Sequence, residues 1–227
     1  MLSLVAAIVL IVLLVLAFKL ATKNLNPELS VRGIFEKMHK MLHSEEIQNA
    51  NLDPLLRTML RRNEPNRALG YGYGYSPNNP IRVNGPLGEQ LYIAMLRGLD
   101  GQVVIGHRLG SLNTLDIYEV ATSDFSQWAV LFFDMYYQNK DIAAPAEFAI
   151  DTSGTRTLTA VNKFMANFPN NFYHDLIETV KDQIGFPLIN TSIREIYSDG
   201  ITRPAAHQDL MNHVVVVARA EGIGVDS

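Results

Sequence analysis

Three aspartates are the first candidates for chemistry in this chain. Asp116 and Asp134 lie in runs rich in β-branched and aromatic residues, and Asp151 follows the apolar Phe148–Ile150 just before Thr-Ser-Gly-Thr. A carboxylate at the end of a strand can attack a phosphate or acyl group that the backbone amides of the next loop hold. We therefore name these three aspartates as candidate catalytic residues. The competing interpretation of Asp151 is a strand that enters a turn, where Thr or Ser caps the next helix.

Two other groups of side chains could do chemistry. Glu119 comes three residues after Asp116, and strand alternation sends the two to opposite faces, which argues against joint acid–base work. His39 and His43 are four residues apart on a predicted helix, a spacing compatible with a metal. The alternative for these histidines is a solvated or headgroup-facing position, and we predict no metal and no cofactor. Cysteine is absent, so disulfides and thiol chemistry are excluded.

A run of alternating glycine and tyrosine, residues 70–76, is the main candidate for binding. Its glycine density is that of a phosphate-binding loop, but no Gly-Lys-Ser or Gly-Lys-Thr follows it. Glycines with tyrosines are instead typical of a tight loop whose rings pack on the domain or on a partner. We predict Tyr71, Tyr73, Tyr75 and Arg108 as binding residues, and another protein as the partner.

Residues 2–18 contain no charge, no proline and no glycine. At about 1.5 Å per residue, a helix over this stretch and the residues up to Thr22 reaches the ~30 Å needed to cross the hydrocarbon core. A cleavable secretory signal would have a basic start and a shorter apolar core. The pattern therefore favours an uncleaved transmembrane anchor over residues 1–23.

Basic residues follow this anchor, whereas no lysine or arginine precedes it. The positive-inside rule then predicts a single-pass protein of the plasma membrane with a cytoplasmic body. The residues expected at the lipid headgroups are Lys19, Lys23, Arg32, Lys37 and Lys40. The net charge of −4 argues against a nucleic-acid partner.

The rest of the chain divides into basic juxtamembrane helices over residues 24–69 and an α+β domain over residues 70–227. Strands are predicted at 103–109, 115–121 and 128–137, and the short turns between them favour an antiparallel sheet. The C-terminal part, residues 155–227, is predicted to be helical, with helices at 157–168, 171–184 and 204–221. The predicted fold class is therefore α+β, with an N-terminal transmembrane helix followed by an antiparallel sheet and flanking helices.

Short motifs between residues 73 and 148 carry a family resemblance. They are Tyr73-Gly74-Tyr75-Ser76, Asn79-Pro80-Ile81, Arg108-Leu109-Gly110-Ser111, Tyr118-Glu119-Val120 and Asp134-Met135-Tyr136. Together they resemble a family of small uncharacterised bacterial proteins, some of which are named after 2-dehydro-3-deoxyphosphooctonate aldolase. That aldolase is a (β/α)8 barrel of ~250 residues, whose alternating pattern this chain lacks. The resemblance implies a shared small bacterial domain and no activity. With the anchor predicted over residues 1–23, which lies outside the resemblance, the expected location is the bacterial inner membrane.

A second, local resemblance concerns the candidate nucleophile. The run from Phe148 to Thr155 resembles the nucleophile loop of haloacid-dehalogenase-type phosphatases, in which the residue at Asp151 would attack phosphorus. The usual second aspartate, the general acid, is Ser153 here. Too few residues follow Thr155 to supply the remaining strands and Mg²⁺ carboxylates of that fold.

These observations favour a membrane-anchored protein that binds rather than catalyses, as a scaffold or an accessory subunit. The alternative is a membrane-tethered hydrolase acting on a phosphate or acyl substrate. An enzyme would bring at least two of the three aspartates and a histidine within hydrogen-bond reach. A binding module would leave them scattered and expose an apolar or aromatic patch instead.

Overall fold

A meander of three long strands forms the centre of the structure, a computed structural model of the chain. The structure describes residues 72–137, 143–152, 158–184 and 198–220, together with Leu55 and Thr58. All of them belong to one compact unit within Met41–Ser227. The domain boundaries predicted near residues 23, 69 and 155 lie outside the described residues.

The meander strands are β3 (Val104–Leu112), β4 (Leu115–Thr122) and β5 (Trp128–Asp134), and each pairs antiparallel with the next. They are rich in the β-branched and aromatic residues that fit a pleated, buried surface. The antiparallel meander predicted from the sequence is confirmed for these three strands. A β-bulge interrupts the β3–β4 pairing between Arg108 and Gly110.

Two short strands extend the meander into a mixed sheet. β1 (Ile81–Arg82) pairs parallel with β5, and β7 (Ala160–Val161) pairs parallel with β3, which gives the order β1-β5-β4-β3-β7. β2 (Leu96–Gly98) and β6 (Phe148–Ile150) form a separate antiparallel pair.

Helices cover both faces of the five-stranded sheet. On one face, α1 (Gly85–Met95) contributes Tyr92 and Ile93 to a core with Tyr118, Leu131 and Phe133. Nearly every residue of α1 is buried, including the polar Glu89 and Gln90, so the helix has no solvent-facing polar side.

The other face packs against the C-terminal helix, α3 (Ala205–Ala220), whose Met211 meets Ile117, Val130 and Phe132. The remaining helix, α2 (Phe172–Ile184), packs beside β7. The two faces therefore have separate apolar cores, and the strands between them carry side chains to both.

The predicted fold class is corrected at two points. The α+β content is right, but the sheet is mixed rather than antiparallel, because its two outer strands arrive through long connections and pair parallel. Among the residues described, none of the helices combines the length and the apolar composition needed to cross a membrane. The anchor expected over residues 1–23 lies outside the described residues.

Helix predictions in the C-terminal part had mixed outcomes. The predictions over 171–184 and 204–221 are confirmed by α2 and α3. The helix predicted over 157–168 is wrong where it can be seen, because residues 158–168 are extended chain, strand β7 and turns. Ala160 and Val161 pair with β3, and this tertiary contact outweighs the helix predicted from the local sequence.

The described part of the glycine–tyrosine loop, residues 72–76, is a tight turn, as the sequence predicts. Gly74 has a φ of 79°, and a Cβ there would lie 2.8 Å from Pro145 Cγ. Its carbonyl oxygen accepts a hydrogen bond from Phe132 N at 2.8 Å. Only glycine combines this positive φ with this close approach to Pro145. The hydrogen bond from Phe132 fixes the loop against the end of β5.

Candidate functional site

An apolar cavity of about 360 Å³ lies between the sheet and α3. We call it the α3 cavity. Its walls come from β3 to β5, from one side of α3 and from the end of the glycine–tyrosine loop. The apolar side chains that line it include Leu112, Ile117, Val130, Phe132, Leu210 and Val214.

Polar groups reach the α3 cavity from two elements. Tyr75 and Ser76 come from the loop, and His213 comes from α3. Tyr75 Oη donates to Ala146 O at 2.5 Å. Burial, with a smaller effect of the Glu147 charge, raises the pKa of Tyr75 to about 12. The cavity therefore has apolar walls and a few hydrogen-bonding groups, one of them a phenol that stays protonated near neutral pH.

A fully buried carboxylate, Glu119 of β4, lies on the same face of the sheet. Its Oε2 accepts from His107 Nε2 at 2.7 Å and from Arg203 Nη2 at 3.1 Å. Its Oε1 accepts from Arg203 Nε at 2.7 Å and from His207 Nε2 at 3.0 Å. We call these four residues the Glu119 cluster. Because an ionised carboxylate only accepts, both imidazoles must carry a proton on Nε2.

The hydrogen bonds fix the charges of the cluster. Burial by itself would raise the pKa of Glu119, but the bonds from His107, His207 and Arg203 outweigh burial and lower the pKa to about 2. The other nitrogen of His107, Nδ1, accepts from Met165 N at 3.0 Å, so this imidazole is neutral. Burial lowers the pKa of His107, although Glu119 opposes that shift.

Aromatic rings enclose the cluster. The Phe168 ring lies 4.6 Å from the His107 ring, and the Trp128 ring lies 5.3 Å from that of His207, centroid to centroid. The side chain of Arg203 is only 14% exposed. The carboxylate of Glu119 is fully buried, and its partners come from both the sheet and the C-terminal segment, so the cluster joins α3 to the sheet.

A second buried polar site lies on the opposite face, where Glu89 of α1 meets Asp116 of β4. We call these two carboxyl groups the acid pair. Arg108 holds Asp116 by two hydrogen bonds of 2.9 Å, Nε to Oδ2 and Nη2 to Oδ1. Ser111 Oγ donates to Asp116 Oδ1 at 2.7 Å, and Tyr118 Oη donates to Glu89 Oε2 at 3.1 Å.

The surroundings of the acid pair favour the protonated form of Glu89. Burial raises the pKa of Glu89 well above its usual range, and the charge of Asp116 raises it further. Within the described residues, Glu89 Oε1 is buried and has no hydrogen-bond partner. The cation that pairs with Asp116 is Arg108.

The three predicted catalytic aspartates lie in three different places. Asp116 belongs to the acid pair. Asp134 is in register with Leu115 of β4, so it belongs to the opposite face of the sheet from Asp116. Asp151 follows β6 and forms an ion pair of 3.1 Å with Arg97. Register and contacts thus keep the three carboxylates apart.

The predicted binding residues also differ in their surroundings. Tyr73 is buried in the core on the α1 side, so its ring packs on the domain itself. Tyr75 lines the α3 cavity, and Arg108 is engaged by Asp116. Tyr71 lies outside the described residues.

Seven further predicted positions lie outside the described residues, so their predictions are unchanged. They are the membrane-surface residues Lys19, Lys23, Arg32, Lys37 and Lys40 and the metal candidates His39 and His43. In the part of the chain that the structure describes, no group of three or more histidine, aspartate and glutamate side chains could hold a metal.

Sequence reasoning missed most of the two buried polar sites. It gave no role to Glu89, His107 or Arg203. One signal was present: His107 and Glu119 lie in neighbouring strands joined by a short turn, although the bulge in β3 sets which residues face each other. Arg203 carries no comparable signal, because it lies 84 positions after Glu119 in the sequence.

No family model, curated protein or solved structure matches this chain. The resemblance to a bacterial family in the segment 73–148 therefore stays a prediction.

Proposed function

We propose that this protein acts by binding, and that its α3 cavity takes a small, mainly apolar ligand. The observation that carries the proposal is the cavity itself. Its volume of about 360 Å³ falls within the ~300–1,000 Å³ typical of small-molecule sites. Its lining, apolar with a few hydrogen-bonding groups, is also typical of such sites.

The energetics favour occupation by an apolar molecule. Each Å² of apolar ligand surface moved from water into such walls gains about 25 cal/mol. Four of the ten lining residues belong to the long sheet strands, which are held by their backbone pairing, so this part of the cavity needs little ordering when a ligand binds. Tyr75, Ser76 and His213 can orient one polar group of the ligand.

A small molecule suits this site better than a protein surface does. A stable protein interface buries ~800 Å² on each partner, whereas this site is a concave cavity under a helix. Leu210 lines the cavity and is 44% exposed, so it lies at the rim, where a ligand can enter.

The contacts of the aspartates count against the hydrolase alternative. Asp116 is held by Arg108 and Ser111, and Asp151 by Arg97. Asp134 belongs to the sheet face away from Asp116. A hydrolase needs such groups gathered around one accessible point.

The test compares two variants of α3 in the full-length protein. The probe is N-phenylnaphthylamine, a neutral apolar dye whose emission rises when it leaves water. Leu210→Trp places a large ring in the cavity, and we expect its affinity for the probe to fall at least about tenfold, because the ligand volume is taken.

The matched control is Val216→Trp, the same kind of enlargement on the same helix at a residue that is 63% exposed. It should bind the probe within about twofold of the wild type. Equal binding by both variants, or no binding by the wild-type protein, would contradict the proposal. Thermal unfolding checks that both variants are folded.

A further inference from the structure

The helix that forms one wall of the α3 cavity is the same helix that the Glu119 cluster joins to the sheet. Arg203 precedes the first residue of α3 by two positions, and His207 lies in its first turn. Leu210 follows His207 by one helical turn and lines the cavity. The position of this wall therefore depends on what holds the start of α3.

The Glu119 cluster supplies that hold. Glu119 and His107 belong to the sheet, whereas Arg203 and His207 belong to the C-terminal segment. Three of the four hydrogen bonds to the carboxylate come from that segment. Charge-assisted bonds of this kind are roughly twice as strong as neutral ones.

We propose that the Glu119 cluster is an acid-sensitive switch: it keeps α3 on the sheet near neutral pH, and protonation in acid releases α3 and opens the cavity. The cluster and the release of α3 stand on their own contacts, while the consequence for a ligand rests on the proposed function of the cavity.

The direction of the pH effect follows from linkage. The titrating group is Glu119, because release of α3 removes the three hydrogen bonds that Arg203 and His207 donate to its carboxylate. His107 belongs to β3 and contacts Met165, Phe164 and Phe168, none of which is part of α3, so these surroundings stay in place. Because the pKa of Glu119 is lower in the closed state, release becomes more favourable as pH falls.

The pH range of the effect follows from the pKa of Glu119. This pKa is about 2 in the closed cluster against a usual 4.5, so release takes up a proton below pH 4.5. The charged groups that face Glu119 from the packed elements are His107 of β3, Arg203 before α3 and His207 of α3. The Phe168 and Trp128 rings lie against the two imidazoles and carry no titratable group.

Hydrogen exchange of the full-length protein, read by mass spectrometry and corrected for intrinsic rates, tests the switch without any ligand. At pH 7.5, Arg203→Gln should speed exchange of the α3 amides of residues 209–214 at least about tenfold, because two of the four bonds to Glu119 are lost. Arg203→Lys keeps the charge and should fall between Arg203→Gln and the wild type.

The matched control is Arg97→Gln, which breaks the ion pair with Asp151 away from α3 and should leave these amides unchanged. In the wild type, α3 should lose protection between pH 7.5 and 4, while β4 and β5 keep theirs. Equal rates in Arg203→Gln and Arg97→Gln would overturn the switch. So would a loss of protection shared equally by β4 and β5, since that is global unfolding.

Probe binding then separates the two proposals. If Arg203→Gln releases α3 and also lowers the affinity for N-phenylnaphthylamine about tenfold, both proposals are supported. If the wild type binds no probe, the proposed function fails, and the exchange data still decide the switch. If the probe binds but α3 stays protected in every variant and at every pH, the switch fails and the cavity proposal stands.

Discussion

The two faces of the sheet handle buried carboxyl groups in opposite ways. Asp116 and Glu119 are three residues apart on β4 and point to different sides. On the α1 side, a second carboxyl group, Glu89, joins Asp116, and one cation serves both. On the α3 side, Glu119 accepts hydrogen bonds from two imidazoles and an arginine.

The difference shows that partners, and not burial alone, decide the charge state. Glu89 and Glu119 are both fully buried. The pKa of Glu89 is raised by burial and by the nearby negative charge, whereas that of Glu119 is lowered to about 2 because its hydrogen bonds outweigh burial. The surroundings on one face of the sheet therefore favour the neutral acid, and those on the other face favour the ion.

Of the predicted changes in stability, the loss caused by Glu119→Gln on the α3 side of the sheet should be the largest. The substitution leaves Arg203 with an uncompensated charge that is mostly buried, and removing one partner of such a pair costs about 3–5 kcal/mol. Urea unfolding at pH 7 measures the change in free energy of unfolding. A loss below about 1 kcal/mol would mean that the cluster contributes no more than a surface pair.

Glu89→Gln should have the opposite effect on the α1 side. Above pH 4.5 the unfolded chain gives up the Glu89 proton, whereas the folded protein keeps it. The free energy of unfolding of the wild type therefore falls as pH rises, by up to about 1.4 kcal/mol per pH unit, until Glu89 ionises in the folded protein. Gln mimics the neutral acid and escapes this loss. Its stability relative to the wild type should rise by about 1 kcal/mol or more between pH 5 and 8.

Urea unfolding at several pH values checks the Glu89 prediction, and Glu147→Gln, the same change at an exposed position, is its control. Relative stability that stays flat with pH would show that Glu89 is ionised in the folded protein and that the acid pair shares no proton.

Asp151→Asn should have the smallest effect of the three. Its ion pair with Arg97 is partly exposed, with 29% and 21% of the two side chains accessible, and such pairs contribute less than about 1 kcal/mol. Unfolding free energy and probe affinity should both stay close to the wild type. A large loss of ligand binding would instead return Asp151 to the candidate site and favour the hydrolase alternative.

The sequence predicted local elements well and long-range pairings poorly. The central strands and the helices α2 and α3 follow from β-branched runs and periodic apolar residues, which are local properties. The outer strands β1 and β7 are two residues long, and only their partners in the sheet make them strands. No local pattern could separate them from loop.

The candidate site was predictable in part. The opposite directions of Asp116 and Glu119 followed from strand alternation and are confirmed by their separate contacts. Tyr75 was named as a binding residue and lines the cavity, but the cavity itself requires α3 to lie on the sheet.

The sequence by itself determined which residues can ionise, where the strands of the meander run and which faces Asp116 and Glu119 take. Tertiary structure decided their partners. Leu112 faces Leu115, and an unbroken continuation of this pairing would set His107 opposite Val120. The bulge between Arg108 and Gly110 shifts the register by one residue, so His107 faces Glu119 instead. Arg203 reaches the same carboxylate from a distant part of the chain. Only folding brings such groups into one low-dielectric place, and there their contacts set which acid keeps its proton.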